Sequence, residues 1–239
     1  MMAYADLHIH SIYSHDGTCD IETILKYTAA MTNLAILAIT DHDEIAGALL
    51  AEKIAPGYGL QVVTGSEIST SDGHLLGLFI REKIPAGMSL FETIMVVREL
   101  GGLCVVPHPG ARFTQSVSLE RIHTLLQHEQ ASETLVGMEI FNAGLLRTKS
   151  NNLAANFALE HNISLVASSD AHVPGLIGKG ATGFRGTTLE DLKQALISHQ
   201  THILQQPPIG SINIVRDWMF YRYFKRPRQA WKSAFSESI

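Results

Sequence analysis

Seven of the twelve histidines in this 239-residue chain stand where metal ligands are usual. They lie in loops or at predicted strand ends beside Asp, Gly or Pro: His8, His10, His15, His42, His74, His108 and His172. The other five fall in or near helical patterns, where a lone histidine is usually structural: His123, His128, His161, His199 and His202. The first seven are therefore the candidates for chemistry.

The sequence His8-Ile9-His10 puts two imidazoles on one face of a predicted strand, because side chains alternate along a strand. Two nitrogens can then reach one metal ion, although two histidines on a solvated face would look the same. Five further motifs carry similar residues: Thr-Asp-His-Asp at 40–43, Gly-Ser-Glu-Ile at 65–68, Gly-His at 73–74, Pro-His-Pro at 107–109 and Ser-Asp-Ala-His at 169–172. Together they predict a His, Asp and Glu cluster for divalent metal ions.

Short apolar runs alternate with longer helical patterns along the chain. Six runs are predicted strands: Ala35–Ile39, Gln61–Thr64, Leu75–Ile80, Leu103–Val106, Val136–Phe141 and Ser164–Ala167. They are apolar on both faces, which is typical of parallel strands covered by helices. Four helices are predicted to begin after the N-caps Asp20, Ser89, Ser118 and Thr188.

A βα unit repeated six or seven times fits either a doubly wound sheet or a small (β/α) barrel. Nearly every predicted strand delivers His, Asp or Glu at its carboxyl end. In a barrel these ends converge on one mouth, whereas in an open sheet the outermost ones would lie too far apart to share a site. We therefore expect the barrel.

Composition limits the function classes. With 46% hydrophobic and 17% charged residues the chain is not intrinsically disordered, and a net charge of -5 argues against a chain-wide basic surface for duplex nucleic acid. Two cysteines, Cys19 and Cys104, are too few for a disulfide framework. No export signal or transmembrane stretch is recognisable, so we expect a soluble, cytoplasmic protein.

The last part of the chain differs in character. Residues 207–239 contain six Lys or Arg against two acidic residues, with both tryptophans among them. We expect a barrel domain over 1–206 and a basic aromatic tail over 207–239, with Pro207-Pro208 at the boundary. The tail could pack on the barrel flank, mediate self-association or another partner contact, or bind an anionic membrane surface.

The motifs resemble those of the PHP (polymerase and histidinol phosphatase) superfamily. The resemblance rests on DLHIHSIYSHDG at 6–17, TDHD at 40–43, GSEI at 65–68, PHP at 107–109 and SSDAH at 168–172, in the family's order and over about residues 4–206. It implies a distorted (β/α)7 barrel. It also implies two or three divalent metal ions, manganese, iron or zinc, in a site that cleaves phosphate esters.

The resemblance also implies a set of metal ligands. The first group is His8, His10, Glu67 and Asp170; the second is Glu67, His74 and His108; the third is Asp16, His42 and His172. Glu67 is the natural bridge between two ions, because a carboxylate can bridge two cations and an imidazole cannot. Such a site needs no side-chain nucleophile.

Other positions are open to two interpretations. His15 and Asp43 are the candidate catalytic residues: His15 contacts substrate or faces solvent, and Asp43 either orients His42 or protonates a leaving group. Asn142 could contact substrate or form part of a polar rim. Arg112 and Lys179 are the best-placed cations for a substrate phosphate, although loop cations are most often solvated.

We therefore predict a metal-dependent phosphatase for small phosphorylated molecules, with nucleotides favoured. Two alternatives are a nuclease that trims short single-stranded oligonucleotides and a non-catalytic interaction module. The complete ligand set speaks against the module, because buried polar groups are costly. Amide hydrolysis or deamination on a similar barrel stays open on the ligands alone.

Overall fold

The protein has an α/β fold in which one mixed parallel and antiparallel sheet curves into a nearly closed barrel. The computed structural model describes residues 1–111, 115–144, 149–207 and 211–225. The strands found there are β1 (Met2–Asp6), β2 (Ile36–Ile39), β3 (Gln61–Thr70), β4 (Gly73–Leu78), β5 (Leu103–Val106), β6 (Leu135–Asn142), β7 (Ser164–Ser168), β8 (Gly180–Arg185) and β9 (His202–Gln205). The helices are α1 (Ile21–Met31), α2 (Ala46–Ile54), α3 (Leu90–Glu99), α4 (Leu119–Leu126), α5 (Glu129–Thr134), α6 (Lys149–Glu160), α7 (Leu189–Ile197) and α8 (Ser211–Phe220).

The sheet has the order β7-β6-β5-β4-β3-β2-β1-β8-β9. Because β1, β2, β3, β5, β6 and β7 run in one direction, their carboxyl ends share one edge. Thr182 of β8 joins β7: its hydroxyl donates to the Ala167 carbonyl at 3.0 Å and accepts from the Ala167 N–H at 3.1 Å. At Gly180 a Cβ atom would lie 2.2 Å from the Ser168 carbonyl oxygen, so this junction requires glycine. The predicted α/β barrel is confirmed.

One of the strands predicted to be parallel is not. β4 pairs antiparallel with both β3 and β5. Only Ser71 and Asp72 separate β3 from β4, which is far too short for a crossover helix. Gly73, with φ of +129°, follows Asp72, and Asp-Gly is a hairpin signal that the apolar pattern obscured.

All four predicted helix starts are confirmed. Asp20 and Ser118 each accept a hydrogen bond from the backbone N–H three residues ahead. Ser89 and Thr188 form complete capping boxes. Each cap satisfies backbone donors that the first helical turn leaves unpaired.

The core has two layers. A large cluster lies between the sheet and the outer helices, and a smaller one fills the barrel, with Phe184 among its side chains. Helix α7 closes the amino ends of the strands: Ser164 Oγ donates to the Leu196 carbonyl at 2.7 Å, and Lys193 Nζ donates to the Gly101 carbonyl at 2.9 Å. Polar side chains are therefore concentrated at the opposite, carboxyl edge.

The described part of the tail packs on the barrel. Ile214, Trp218 and Tyr221 contact the large core cluster, in agreement with the first of the three alternatives for the tail. Pro208 and residues 226–239, with Trp231, lie outside the described residues. The division at 206/207 and self-association through the tail stay predictions. Among the helices described, none combines the length and the apolar character needed to cross a bilayer.

Both cysteines are expected to be unreactive in the folded protein. Cys19 is 4% exposed and Cys104 is fully buried. Burial raises the pKa of Cys19 to about 12 and the pKa of Cys104 still further, whereas the thiolate is the reactive form. An aromatic disulfide reagent at pH 8 should label both thiols on the order of 100-fold more slowly in the native protein than in guanidinium chloride. A native thiol that reacts at the unfolded rate would contradict this packing.

Candidate metal centre

The nine predicted metal ligands meet at the carboxyl edge of the barrel. His8, His10 and Asp16 follow β1, and His42 follows β2. Glu67 lies within β3 and His74 within β4, while His108 follows β5 and Asp170 and His172 follow β7. The β3–β4 hairpin explains His74: because β4 runs backwards, its first residues lie at the edge where β3 ends, and His74 pairs with Ser69.

The prediction that His8 and His10 lie on a strand needs correction, since β1 already ends at Asp6. Ile9 instead forms an isolated parallel bridge with Ala171. The His10 N–H donates to the Ala171 carbonyl at 3.0 Å, and the Ala171 N–H donates to the His8 carbonyl at 3.3 Å. This bridge brings the two Nε2 atoms to within 3.0 Å of each other.

Glu67 is the centre of the cluster and is only 1% exposed. Its Oε1 lies 2.9 Å from His74 Nδ1 and 3.0 Å from His108 Nε2. Its Oε2 lies 3.2 Å from the Nε2 atoms of both His8 and His10, and 3.3 Å from His42 Nδ1. The two carboxylate oxygens therefore face two different sets of imidazoles.

Asp170 and Asp16 supply the other carboxylates. Asp170 Oδ1 lies 3.5 Å from His8 Nε2 and 3.3 Å from His10 Nε2. Asp16 Oδ2 lies 2.9 Å from His172 Nε2 and 3.3 Å from His42 Nε2. Asp170 is thus in contact with both histidines of the first predicted ligand group, and Asp16 with both histidines of the third.

The donor set fits divalent metal ions. With metal–nitrogen bonds of about 2.0–2.1 Å, neighbouring ligand atoms around an ion lie roughly 3 Å apart, which is the spacing seen here. His74 Nδ1 is 2.9 Å from Glu67 Oε1 without forming a hydrogen bond, and Asp16 Oδ1 is buried with no hydrogen-bond partner among the described residues. Four overlapping groups could each hold an ion: His8, His10 and Glu67; His8, His108 and Asp170; His42, Glu67 and His74; His10, Asp16, His42 and His172.

Several histidines are oriented by a contact on the ring nitrogen that points away from the cluster. The Nδ1 contacts are His8 with Glu139 Oε1 at 2.9 Å, His10 with Ser14 Oγ at 3.1 Å, His108 with Ser116 Oγ at 3.0 Å and His172 with the Asp170 carbonyl at 2.9 Å. Such contacts leave Nε2 as the nitrogen for a metal ion and fix the ring.

The charges in the cluster are strongly coupled. Burial lowers the pKa of His10, but hydrogen bonds to Asp170 and Glu67 outweigh burial and raise this pKa to about 10. Burial raises the pKa of Glu67, yet the surrounding histidines, His8 first, hold it well below its usual range. The same balance lowers the pKa of Asp170. A divalent cation would therefore displace protons from the imidazoles as it binds.

Asn142, predicted as a substrate contact, lies behind the ligands and is 1% exposed. Its amide donates to Glu139 Oε2 at 2.8 Å and to Asp170 Oδ2 at 3.1 Å. Glu139 is fully buried, and its Oε2 also accepts the His108 N–H at 2.8 Å. Both residues therefore orient metal ligands. The sequence signal for this role is Glu139 itself, a carboxylate inside an otherwise apolar strand.

Asp41 has a supporting role that the motif Thr-Asp-His-Asp did not reveal. It is fully buried and accepts hydrogen bonds from the Ser11 N–H at 2.6 Å, the Ser11 hydroxyl at 2.7 Å and the Ser14 N–H at 3.1 Å. Asp41 therefore fixes the start of the loop that carries Asp16. Asp6 similarly accepts from the N–H groups of Ser169 and Gly178, and burial raises its pKa to about 6.

His15 and Asp43, the predicted catalytic residues, occupy different environments. The His15 side chain is 79% exposed at the rim, with its Nε2 3.9 Å from Asp16 Oδ2. Asp43 Oδ1 accepts the Ser69 N–H at 2.7 Å, and its backbone has a φ of +51°. Asp43 thus connects the loop after β2 with strand β3 through this hydrogen bond.

Of the two predicted phosphate-binding cations, only Lys179 lies within the described residues. Lys179 lines a separate cavity of about 490 Å³ next to Tyr4 and Tyr27, and none of the nine ligands lines it. Arg112 lies outside the described residues.

Glu67→Gln should lower the metal content of the purified protein by at least one ion per chain, because a neutral amide bridges two cations poorly. Elemental analysis after metal-supplemented growth measures this change. The exposed Glu82 gives the matched control, and Glu82→Gln should keep the wild-type content, expected to be two or three ions. Equal metal content in the two variants would contradict the ligand assignment.

The chain is similar to known proteins in both sequence and fold. The family model described as PHP-associated matches residues 148–201. An uncharacterized protein of Methanocaldococcus jannaschii is 38% identical over 162 residues, which cover 64% of this chain and 89% of the relative.

Two relatives with named activities match shorter parts. The phosphoribosyl 1,2-cyclic phosphate 1,2-diphosphodiesterase of Eggerthella lenta is 36% identical over 104 residues, 41% of this chain and 39% of that enzyme. The 5'-3' exoribonuclease of Haemophilus influenzae is 38% identical over 98 residues, 39% of this chain and 35% of that enzyme.

Among solved structures, a two-domain protein of Bacteroides vulgatus containing a predicted PHP-like metal-dependent phosphoesterase superposes with a TM-score of 0.70. Its sequence is 20% identical, and the match covers 92% of this chain and 69% of that chain. At this identity the likeness shows the shared fold.

Proposed function

The chain belongs to the PHP superfamily, and from this premise we propose that it is a metal-dependent hydrolase of terminal phosphate monoesters on small molecules, nucleotides foremost. The observation that carries the proposal is the position of Glu67, buried between two sets of imidazoles with each carboxylate oxygen facing one set. This arrangement suits a carboxylate that bridges two divalent cations.

The site would hold two or three ions of manganese, iron or zinc. Bound there, such cations lower the pKa of a water molecule and neutralise phosphoryl oxygens. Of the chain's own residues, Glu139 and Asn142 hold the ligand side chains in place. The apolar barrel interior beneath the cluster keeps bulk water away from its buried side.

The open side of the cluster indicates where substrate enters. Asp16 and His172 side chains are 27% and 26% exposed, whereas those of His8 and His10 are fully buried. A phosphate would thus approach past Asp16, His42 and His172. A terminal phosphate monoester carries two negative charges, so several cations favour it over a diester with one.

We assign His15 as the side chain that protonates the leaving group. It stands exposed beside Asp16 on this open side, and its imidazole can hold and deliver a proton at Nε2. Asp43, bonded to the Ser69 N–H, positions the neighbouring His42.

His15→Gln should lower kcat for a nucleoside monophosphate about 100-fold, in line with general acid catalysis. It should change kcat for p-nitrophenyl phosphate far less, because that leaving group departs without a proton. The exposed His123 gives the control, and His123→Gln should behave as wild type with both substrates. Equal losses on both substrates in His15→Gln would contradict the assignment.

Substrate class is tested by kcat/KM for a nucleoside monophosphate or bisphosphate, a matched diester and a short single-stranded oligonucleotide. We expect the monoester to be fastest. A second candidate function is a nuclease for short single strands, and the similarity to an exoribonuclease is the observation that supports it. A diester or strand that reacts tenfold faster, about 1.4 kcal/mol of transition-state preference, would overturn the phosphatase proposal in favour of the nuclease.

A further inference from the structure

The C-terminal segment, formed by α8 and the π-helical turn Tyr221–Lys225 that follows it, reaches the loop that carries Asp16. The Trp218 indole N–H donates a hydrogen bond to the Asp16 carbonyl oxygen at 3.2 Å. One helical turn later, the Arg222 guanidinium donates to the carbonyl oxygen of His15. Two residues spaced i, i+4 thus hold two successive carbonyls of one loop.

The two donor side chains lie next to each other. The Arg222 guanidinium lies 5.8 Å from the centre of the Trp218 ring, a cation–π distance that keeps the two side chains together. Trp218 is half-buried and packs on the core. The neighbouring Arg216 differs, because its guanidinium pairs only with the adjacent Asp217 in the contacts described.

The loop is fixed on both sides of Asp16 by other means. At its start, Ser11 is held by Asp41, and a Cβ atom at Gly17 would lie 1.8 Å from the Ser11 carbonyl oxygen. At its end, the Thr18 hydroxyl donates to the His172 carbonyl. The contacts of Trp218 and Arg222 act on the stretch between these anchors, which carries the Asp16 carboxylate.

Asp16 belongs to the outermost of the four candidate ion groups. One of its oxygens faces His42 and His172, and the other, Oδ1, is buried without a hydrogen-bond partner in the described residues. The other members of this group are fixed close to strand ends, whereas Asp16 lies in a loop. Holding a loop ligand in place before an ion binds lowers the entropy that binding must remove.

We propose that this C-terminal segment is a positioning element of the metal centre: Trp218 and Arg222 hold Asp16 for the outermost ion, and docking of the segment and binding of that ion stabilise each other. The inference rests on the metal centre of the proposed function and extends that function to the tail. It makes binding of the outermost ion dependent on a segment beyond the barrel.

Calorimetric titration of the metal-free full-length protein with Mn²⁺ tests the proposal directly. Trp218→Phe keeps the aromatic packing and removes the N–H donor, and Arg222→Gln removes the guanidinium. Each should weaken the weakest-bound ion roughly three- to tenfold and leave the tighter ions unchanged. Loss of a contact to the ligand side chain itself typically costs about 10- to 100-fold, and these contacts reach only the loop backbone. Arg216→Gln, on the same helix, is the matched control and should bind as wild type.

Each outcome of the titration has a distinct meaning. Unchanged affinity for every ion in both variants would overturn the proposal, as would equal weakening of all ions, which would show general support of the barrel. If wild-type protein binds neither Mn²⁺ nor, in parallel titrations, Zn²⁺ or Fe²⁺, the metal centre itself is wrong, and the proposed function fails with it.

The reciprocal effect gives a second measurement that does not depend on activity. If the ion and the C-terminal segment stabilise each other, saturating Mn²⁺ should slow trypsin cleavage after Arg216 and Arg222 severalfold. Asp16→Asn should abolish this protection while the inner ions still bind. Equal protection in wild type and Asp16→Asn would contradict the coupling.

Discussion

The whole arrangement depends on one buried carboxylate, Glu67, which has five imidazole nitrogens within 3.3 Å. A charged group in that position is costly unless opposite charge surrounds it. Histidines that follow β1, β2 and β5, and a histidine at the start of β4, meet this need, and the supporting groups Glu139 and Asp41 lie one layer further out. The apolar interior and the α7 closure concentrate the polar groups at one edge.

The structure brings these groups together by compromising regular geometry. β1 ends before His8, and a single bridge between Ile9 and Ala171 carries the chain onward. His108 and Asp170 have φ values of +32° and +50°, a conformation that non-glycine residues rarely adopt. Strain of this kind persists where surrounding contacts determine the backbone, and here it coincides with ligand positions. The barrel therefore provides a rigid support, and the loops at its carboxyl edge set the orientation of each ligand side chain.

Much of this was predictable from the sequence. Histidines at strand ends indicated the barrel, and the caps at Asp20 and Thr188 located helix starts, because these signals are local. The reversed β4 was missed because its apolar pattern resembles a buried parallel strand, and only the Asp72-Gly73 turn distinguishes it. The roles of Asn142 and Trp218 could not be predicted, since both depend on contacts with residues remote in sequence. The prediction for Lys179 depended on its closeness to His172 in sequence, but a residue close to a ligand in sequence need not lie at the same site in space.

The central claim is that Glu67 bridges two metal ions at the mouth of the barrel. Crystals grown with Mn²⁺ and measured at the manganese absorption edge would locate each ion through its anomalous signal. The account predicts at least two anomalous peaks, one beside each oxygen of Glu67, with imidazoles of His8 and His74 on opposite sides. A single peak that touches only one of these oxygens, or peaks remote from Glu67, would contradict it.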